Sequence, residues 1–175
     1  MPNRIVYLMR GLPSSGKSYT ARTLAGSQGI VLETDEYFYS HVGNDPSHYD
    51  YRDELLPAAR LWNYRRFQKA LAEAISPIVV DRGNGLNAET QEYARFAVEN
   101  KYQVELREPE SAWWQEIQAL LKDRPASRAE LEAWAERLSE MSRSTHRVPV
   151  ATIHRWMSAW RVDLTIEEIL HFQPS

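Results

Sequence analysis

The chain contains no cysteine. That excludes disulfides, thiolate metal sites and cysteine nucleophiles, and it fits a cytoplasmic protein. It also contains no run of about eighteen apolar residues, so no membrane association is expected. Met1, Pro2, Asn3 and Arg4 lead straight into the first apolar run, leaving no room for a signal peptide at this end. There is no internal repeat, linker or low-complexity segment. A large excess of positive charge is missing too: the net charge is −3, so any contact with nucleic acid must use a local basic patch. One stretch does lack acidic residues altogether. Residues 142–161 carry Arg143, His146, Arg147, His154, Arg155 and Arg161 against no Asp or Glu.

What remains is ordinary for a globular chain of 175 residues, 43% hydrophobic and 26% charged, long enough for a single domain with its own core. Four short apolar runs alternate with helical patterns. Residues 4–9, 30–34, 77–81 and 102–107 read as strands; 19–25, 53–75, 88–99 and 111–121 read as helices. This alternation implies an α/β fold, a doubly wound parallel sheet of four to five strands flanked by helices, with a helical lid near the C-terminus; Gly11-x-x-x-x-Gly16-Lys17-Ser18 between the first strand and the first helix makes the sheet P-loop NTPase-type. In the long helix, Trp62 and Phe67 read as core; Arg60, Asn63, Arg65 and Arg66 lie among the apolar positions. Trp113, Ile117, Leu120 and Leu121 read as the inward face of the helix at 111–121.

The informative segment is Gly11-Leu12-Pro13-Ser14-Ser15-Gly16-Lys17-Ser18, a GxxxxGK[ST] phosphate loop between the first strand and the first helix. In that setting successive backbone N–H groups form a concave anion nest, with the positive end of the helix dipole pointing into it. Gly11, Pro13, Ser14, Ser15, Gly16, Lys17, Ser18 and Tyr19 are the expected ATP-binding residues. Lys17 would reach the β- and γ-phosphates, and the Ser18 hydroxyl would ligate Mg²⁺. Asp81 ends the third strand as a Walker B aspartate does, a second candidate Mg²⁺ ligand.

Asp35 follows the second strand. Ligands of open parallel sheets bind at the carboxyl ends of strands, so Asp35 is placed for chemistry; Asp35 or Thr34 could equally cap a helix beginning at Glu36. Residues 37–51 hold Tyr37, Phe38, Tyr39, His41, His48, Tyr49 and Tyr51, with Gly43, Asn44, Asp45 and Pro46 as turn residues. The segment reads as too polar and broken for a core element. It is either an aromatic-rimmed flap that stacks on an acceptor such as a nucleobase, or a surface loop with aromatics packed beneath it. The two histidines match no standard metal-ligand spacing. Residues 122–125 break the helix before them. Ser127 and Glu130 make a capping-box signature for a charged helix reaching about Met141. Pro149 marks the start of a helix over 150–160, and Thr165 and Glu168 cap a short closing helix. The basic stretch is either a phosphate-clamping lid or a solvated helix.

These parts match the needs of phosphoryl transfer, which rests on positioning and charge neutralisation. The chain resembles the phage polynucleotide kinase-type P-loop kinases from about residue 5 to residue 160. The markers are residues 9–18, 32–38, 59–63, 78–84, 102–109, 120–124 and 146–157. The resemblance implies ATP as donor and a 5′-hydroxyl nucleic acid as a common acceptor. It also implies Asp35 as general base, and Arg124, at the end of the helix after the fourth strand, as a contact to the donor phosphates. Arg147 or Arg143 would join that clamp. The aspartate after the third strand falls on Asp81, and the asparagine shortly after it on Asn84. The departures are specific. Asp81-Arg82-Gly83-Asn84 stands where relatives carry Asp-Asn-Thr-Asn. Arg60 occupies a histidine slot. Pro125 replaces an asparagine, and about twenty residues, 125–144, intervene before the Val-Pro helix, within a lid insertion spanning about 122–148. The expected function is ATP-dependent phosphotransfer to a hydroxyl, with catalytic residues Lys17, Asp35 and Arg124. The acceptor is a polynucleotide 5′-hydroxyl or, alternatively, a nucleotide or metabolite. A nucleotide-binding regulatory module with slow ATP hydrolysis is the reading from a different class.

Overall fold

The computed structural model describes residues 3–43, 47–145 and 147–174. The turn expected at Asn44, Asp45 and Pro46, the basic residue His146, and Met1 and Pro2 lie outside the described residues. Among the described residues four strands form one sheet: β1 (Ile5–Met9), β2 (Ile30–Leu32), β3 (Ile78–Asp81) and β4 (Gln103–Arg107). All pairings are parallel and the order is β2-β3-β1-β4. Every strand therefore delivers its carboxyl end to the same edge. β1 pairs with β3 so that Met9 stands opposite Asp81, which sets Asp81 beside the start of the phosphate loop. The chain leaves β1 toward β2 on one side and leaves β3 toward β4 on the other, so a topological switch point lies between β3 and β1, the place where such sheets bind ligands.

The strands are apolar because both faces are covered. Val6, Leu8, Leu32, Ile78 and Val80 point into one buried cluster. It is closed by residues of α3 (Leu56–Ala72), α4 (Ala88–Glu99) and α8 (Ile166–Leu170). Met9 and Val79, one residue out of phase, point the other way onto Ala21 and Ala25 of α1 (Lys17–Ala25). α2 (Tyr37–Ser40) follows a 3-10 turn at Thr34–Glu36. A separate apolar cluster joins Leu12 of the phosphate loop to α5 (Ala112–Leu121), α6 (Arg128–Met141) and α7 (Val150–Ser158).

Local capping explains several boundaries. The Asn87 side chain accepts from Thr90 N at 2.8 Å, Ser111 Oγ from Trp114 N at 3.1 Å, and Thr165 Oγ1 from Glu168 N at 3.2 Å, each satisfying an N–H that a helix start leaves unpaired. The capping box at Ser127 does not form. Ser127 has φ −103° and ψ 16° instead of extended geometry, and its side chain makes no cap bond; its N–H bonds Asp123 O at 3.0 Å, continuing the turn after α5. The long helix is also shorter than expected, with a 3-10 turn at Asp53–Leu55 before α3. Its buried stripe runs through Ala59, Asn63, Phe67, Ala70 and Leu71. Trp62 is not core: it stands half-exposed against Tyr37 and His41, under the Arg66 guanidinium. Asn63 takes the interior place because the Tyr93 hydroxyl lies 3.2 Å from its amide, a partner a buried amide requires. In α5 the fully buried tryptophan is Trp114 and not Trp113.

Candidate active site

The phosphate loop turns on two left-handed residues, Ser14 (φ 62°) and Gly16 (φ 94°). They let the chain curl back so that the N–H groups of Lys17, Ser18 and Tyr19, unpaired by geometry in the first turn of α1, face one concavity. The curl is braced from outside. Trp113 Nε1 donates to Ser14 O at 2.9 Å, and Ser111 Oγ donates to Ser15 O at 2.8 Å. Gly11 N–H bonds Gly83 O at 3.0 Å, fastening the loop to the segment after β3. A Cβ on Gly11 would stand 2.7 Å from both Lys17 Cγ and Ser15 Oγ. Nothing but glycine leaves the cradle open there. The Ser15 hydroxyl is buried and has no partner among the described residues, an unmet polar group of the kind a bound oxyanion satisfies. The loop therefore fits a polyphosphate on its own geometry.

Lys17 Nζ lies 3.0 Å from Asp81 Oδ1, and Gly83 N–H donates to the same oxygen at 3.2 Å. Burial by itself would raise the Asp81 carboxyl, but the ammonium and the backbone donor outweigh it and hold the group below the usual carboxylate range. Ser18, at the exposed start of α1, shares this edge. No group of three or more acidic or histidine side chains able to hold a metal occurs among the described residues. A magnesium ion held mostly by phosphate oxygens and water needs only one or two protein ligands.

Glu33, just past β2, escaped the sequence reading. Its carboxyl is pushed up to about 7, first by burial and then by the negative charges of Asp81, Glu36 and Asp35. The signal available was a carboxylate two residues before Asp35 at a strand end. Asp35 itself sits in the 3-10 turn, beyond a strand that ends at Leu32 instead of Thr34. Neither cap position here, Glu33 or Glu36, makes a side-chain cap bond. The buried Thr34 hydroxyl has no partner among the described residues. Tyr49 donates its hydroxyl to Asp35 Oδ1 at 3.3 Å. Burial, and next the Asp35 charge, drive the Tyr49 phenol far above its ordinary value, so it stays a neutral donor.

The aromatic segment is partly core after all. Phe38 and Val42 are buried against Ala59, whereas Tyr39, Tyr49 and Tyr51 line a groove of about 540 Å³ whose other wall carries Arg143 and Arg147. Arg147 is thus brought to the 37–51 segment, and no described contact brings it to the phosphate loop. Arg124 Nη1 donates to Trp160 O at 2.7 Å. Arg10, also missed, is almost fully buried: Nε bonds Asn84 O and Nη2 bonds Arg161 O, both at 2.7 Å. Its guanidinium lies 4.2 Å from the centre of the Trp160 ring. Burial lowers Arg10 to about 10, with Glu108 opposing the shift. Asn84 is bound into this joint through Arg10 and through its own bond to Ala159 O at 3.2 Å. An arginine directly after an apolar strand was the sign that could have revealed it.

A family described as an AAA domain matches residues 6–157. The chain belongs to this AAA domain family. With the geometry above, it is a P-loop nucleotide-binding, kinase-like domain. Over 112 residues the chain is 38% identical to human NEDD4-binding protein 2, covering 63% of this chain and 6% of that protein. Human YLP motif-containing protein 1 is 30% identical over 99 residues, covering 45% of the chain and 5% of that protein; the rat protein of the same name is 29% identical. The chain thus spans a small fraction of the length of these relatives. Among the described residues no helix is long and apolar enough to cross a membrane.

Proposed function

We propose that this chain is an ATP-dependent phosphotransferase that moves the γ-phosphoryl group to a hydroxyl acceptor, with a polynucleotide 5′-hydroxyl as the best-supported acceptor. We read it as a single P-loop kinase domain with a lid insertion at about 122–148. The observation that carries the reading is a convergence at one sheet edge. The Lys17–Asp81 pair closes the phosphate cradle, and the Asp35–Tyr49 pair stands at a groove with an aromatic wall and a cationic one.

In this reading the 11–18 backbone and Lys17 hold the donor phosphates and offset the charge that grows on them in the transition state. Ser18 and Asp81 would hold Mg²⁺, which supplies further charge neutralisation at the phosphates when bound. Lys17 exchanges Asp81 for phosphate as the donor arrives. Asp35 orients the acceptor hydroxyl and takes its proton, and Tyr49 fixes the carboxylate until the acceptor competes for it. Arg124 adds positive charge on the donor side. A small-molecule acceptor is the second reading; the net charge of −3 and a groove sized for about one nucleotide favour it.

The test is transfer from γ-labelled ATP with Mg²⁺ to a 5′-hydroxyl oligonucleotide, with Lys17→Ala as the blank. Labelling that the variant abolishes supports the proposal. Intact ATP binding without labelling moves the acceptor to nucleosides and metabolites. ATP binding with no labelled acceptor of any kind would refute the transferase reading.

A further inference from the structure

We propose that Arg10 is a positioning residue for the phosphate cradle. Its guanidinium locks the turn after β3, and through that turn it sets both the first residue of the loop and the Lys17–Asp81 pair. Its part in turnover rests on the phosphotransferase reading; its part in holding phosphates does not.

Arg10 immediately precedes Gly11, yet it serves no phosphate directly. Its side chain is 1% exposed, so it does not open onto the concavity that takes the donor, and it acts through its partners. Nε donates to Asn84 O at 2.7 Å, and Nη2 stands 3.3 Å from Asn84 Oδ1. One residue earlier, the same backbone does two things for the site. Gly83 O accepts from Gly11 N at 3.0 Å, which fastens the opening of the loop. Gly83 N donates to Asp81 Oδ1 at 3.2 Å, the oxygen that Lys17 Nζ approaches at 3.0 Å. A shift of the peptide units around Gly83 therefore moves the loop's entrance and the lysine's partner together. The turn has little stiffness of its own: Gly83 (φ 56°) and Gly85 (φ 90°) both lie in the left-handed region and bring no side chain to pack. An outside brace fixes it.

The other end of that brace is the chain just past α7. Arg10 Nη2 donates to Arg161 O at 2.7 Å. Asn84 Nδ2 donates to Ala159 O at 3.2 Å, and Arg124 Nη1 to Trp160 O at 2.7 Å. Three successive carbonyls are thus each taken by a donor from a different segment around the cradle, which leaves none of them buried and unpaired. Trp160 lies buried between the Arg10 guanidinium, 4.2 Å from its ring centre, and the Trp114 ring at 5.2 Å. The end of α7 is a fixed wall, and Arg10 is the strut between it and the turn. The planar guanidinium spans the two because its donors point in fixed directions to a carbonyl on each side. A lysine carries the same charge, but as a point on a flexible stem with no fork.

The test compares wild type with Arg10→Lys, Arg10→Gln and Asn84→Ala, well below their melting temperatures. Calorimetry reads the binding of ATP and of tripolyphosphate, which fills the cradle without a base. Transfer from labelled ATP reads kcat and acceptor KM. Both Arg10 variants should lose affinity for ATP and for tripolyphosphate by the same factor, roughly tenfold, because the cradle is no longer preorganised. Their kcat should fall by roughly a hundredfold, the effect of a misplacement of about 1 Å, with acceptor KM unchanged. Asn84→Ala keeps Arg10 and its bond to the Asn84 carbonyl, so it carries the test where the arginine variants do not fold; it should lose about three- to tenfold in the same quantities. Arg10→Lys matching wild type would overturn the proposal, since charge alone would then suffice. A lowered melting temperature with unchanged affinities and kcat would make Arg10 a stabilising residue only. Weaker ATP binding with full tripolyphosphate affinity would place the defect outside the cradle. Where Asn84→Ala alone folds, wild-type behaviour from it sinks the idea. Wild type that binds both ligands, shows this pattern in the variants and phosphorylates no acceptor would keep the role of Arg10 and refute the phosphotransferase reading. Transfer that persists undiminished in the Arg10 variants would do the reverse.

Discussion

Replacing Glu33 by glutamine should stabilise the nucleotide-free protein at pH 8 and change its stability far less at pH 4.5. The carboxyl lies at about 7 in the folded chain, chiefly through burial and then through the Asp81 charge, against roughly 4.3 for an unfolded glutamate. Between those values the folded state binds a proton that the unfolded state has lost, so this group's contribution to stability falls as pH rises. Well below about 4.3 both states are protonated and the group is neutral to stability, and at pH 4.5 its cost is still small. Above about 7 both are ionised and the folded state carries the full cost of a half-buried charge beside Asp81. At about 1.4 kcal/mol per tenfold change in proton affinity, that cost is about 4 kcal/mol. Glutamine keeps the shape and removes the charge. Urea unfolding of wild type and variant at both pH values measures it, because carboxylates outside this cluster titrate alike in the two proteins and cancel in the difference. A stability gain equal at pH 4.5 and 8, or a loss at pH 8, would refute the placement of Glu33 in this charge cluster.

Four more outcomes follow from the same geometry. Asp35→Asn should leave ATP affinity within about twofold and cut turnover by roughly 10²–10⁴, the usual worth of a positioned base; wild-type turnover would remove the base role. Tyr49→Phe deletes the 3.3 Å hydrogen bond to Asp35, so turnover and acceptor KM should change by roughly tenfold or less, with melting temperature nearly unchanged. Arg124→Ala should weaken both ATP binding and turnover; a fall in thermal stability alone would assign Arg124 to its bond with the Trp160 carbonyl. Gly29→Ala would set a Cβ 2.4 Å from Pro77 O and 2.5 Å from Ala25 O, backbone atoms that cannot move aside, and should cost about 2 kcal/mol or more in chemical denaturation.

Much of the frame was set by local sequence alone. The strands at Ile5–Met9, Ile78–Asp81 and Gln103–Arg107 and the helix Ala88–Glu99 were legible because a strand or helix reports its buried face through its own periodicity. The phosphate cradle was legible for the same reason: its glycines and its lysine act within eight residues of one another. What the tertiary structure decided joins residues far apart. Tyr49 reaches Asp35, Trp113 pins the Ser14 carbonyl, and Arg124 bonds Trp160 across 36 residues. Asn63 displaces Trp62 from the interior because Tyr93, thirty residues on, supplies its partner. The Ser127 capping box fails because the turn after α5 dictates its backbone angles. Glu33 holds its proton through burial and charges brought in from β3. Desolvation, through-space charge and hydrogen-bond partnership depend on where the folded chain places distant groups, and local pattern carries no record of them.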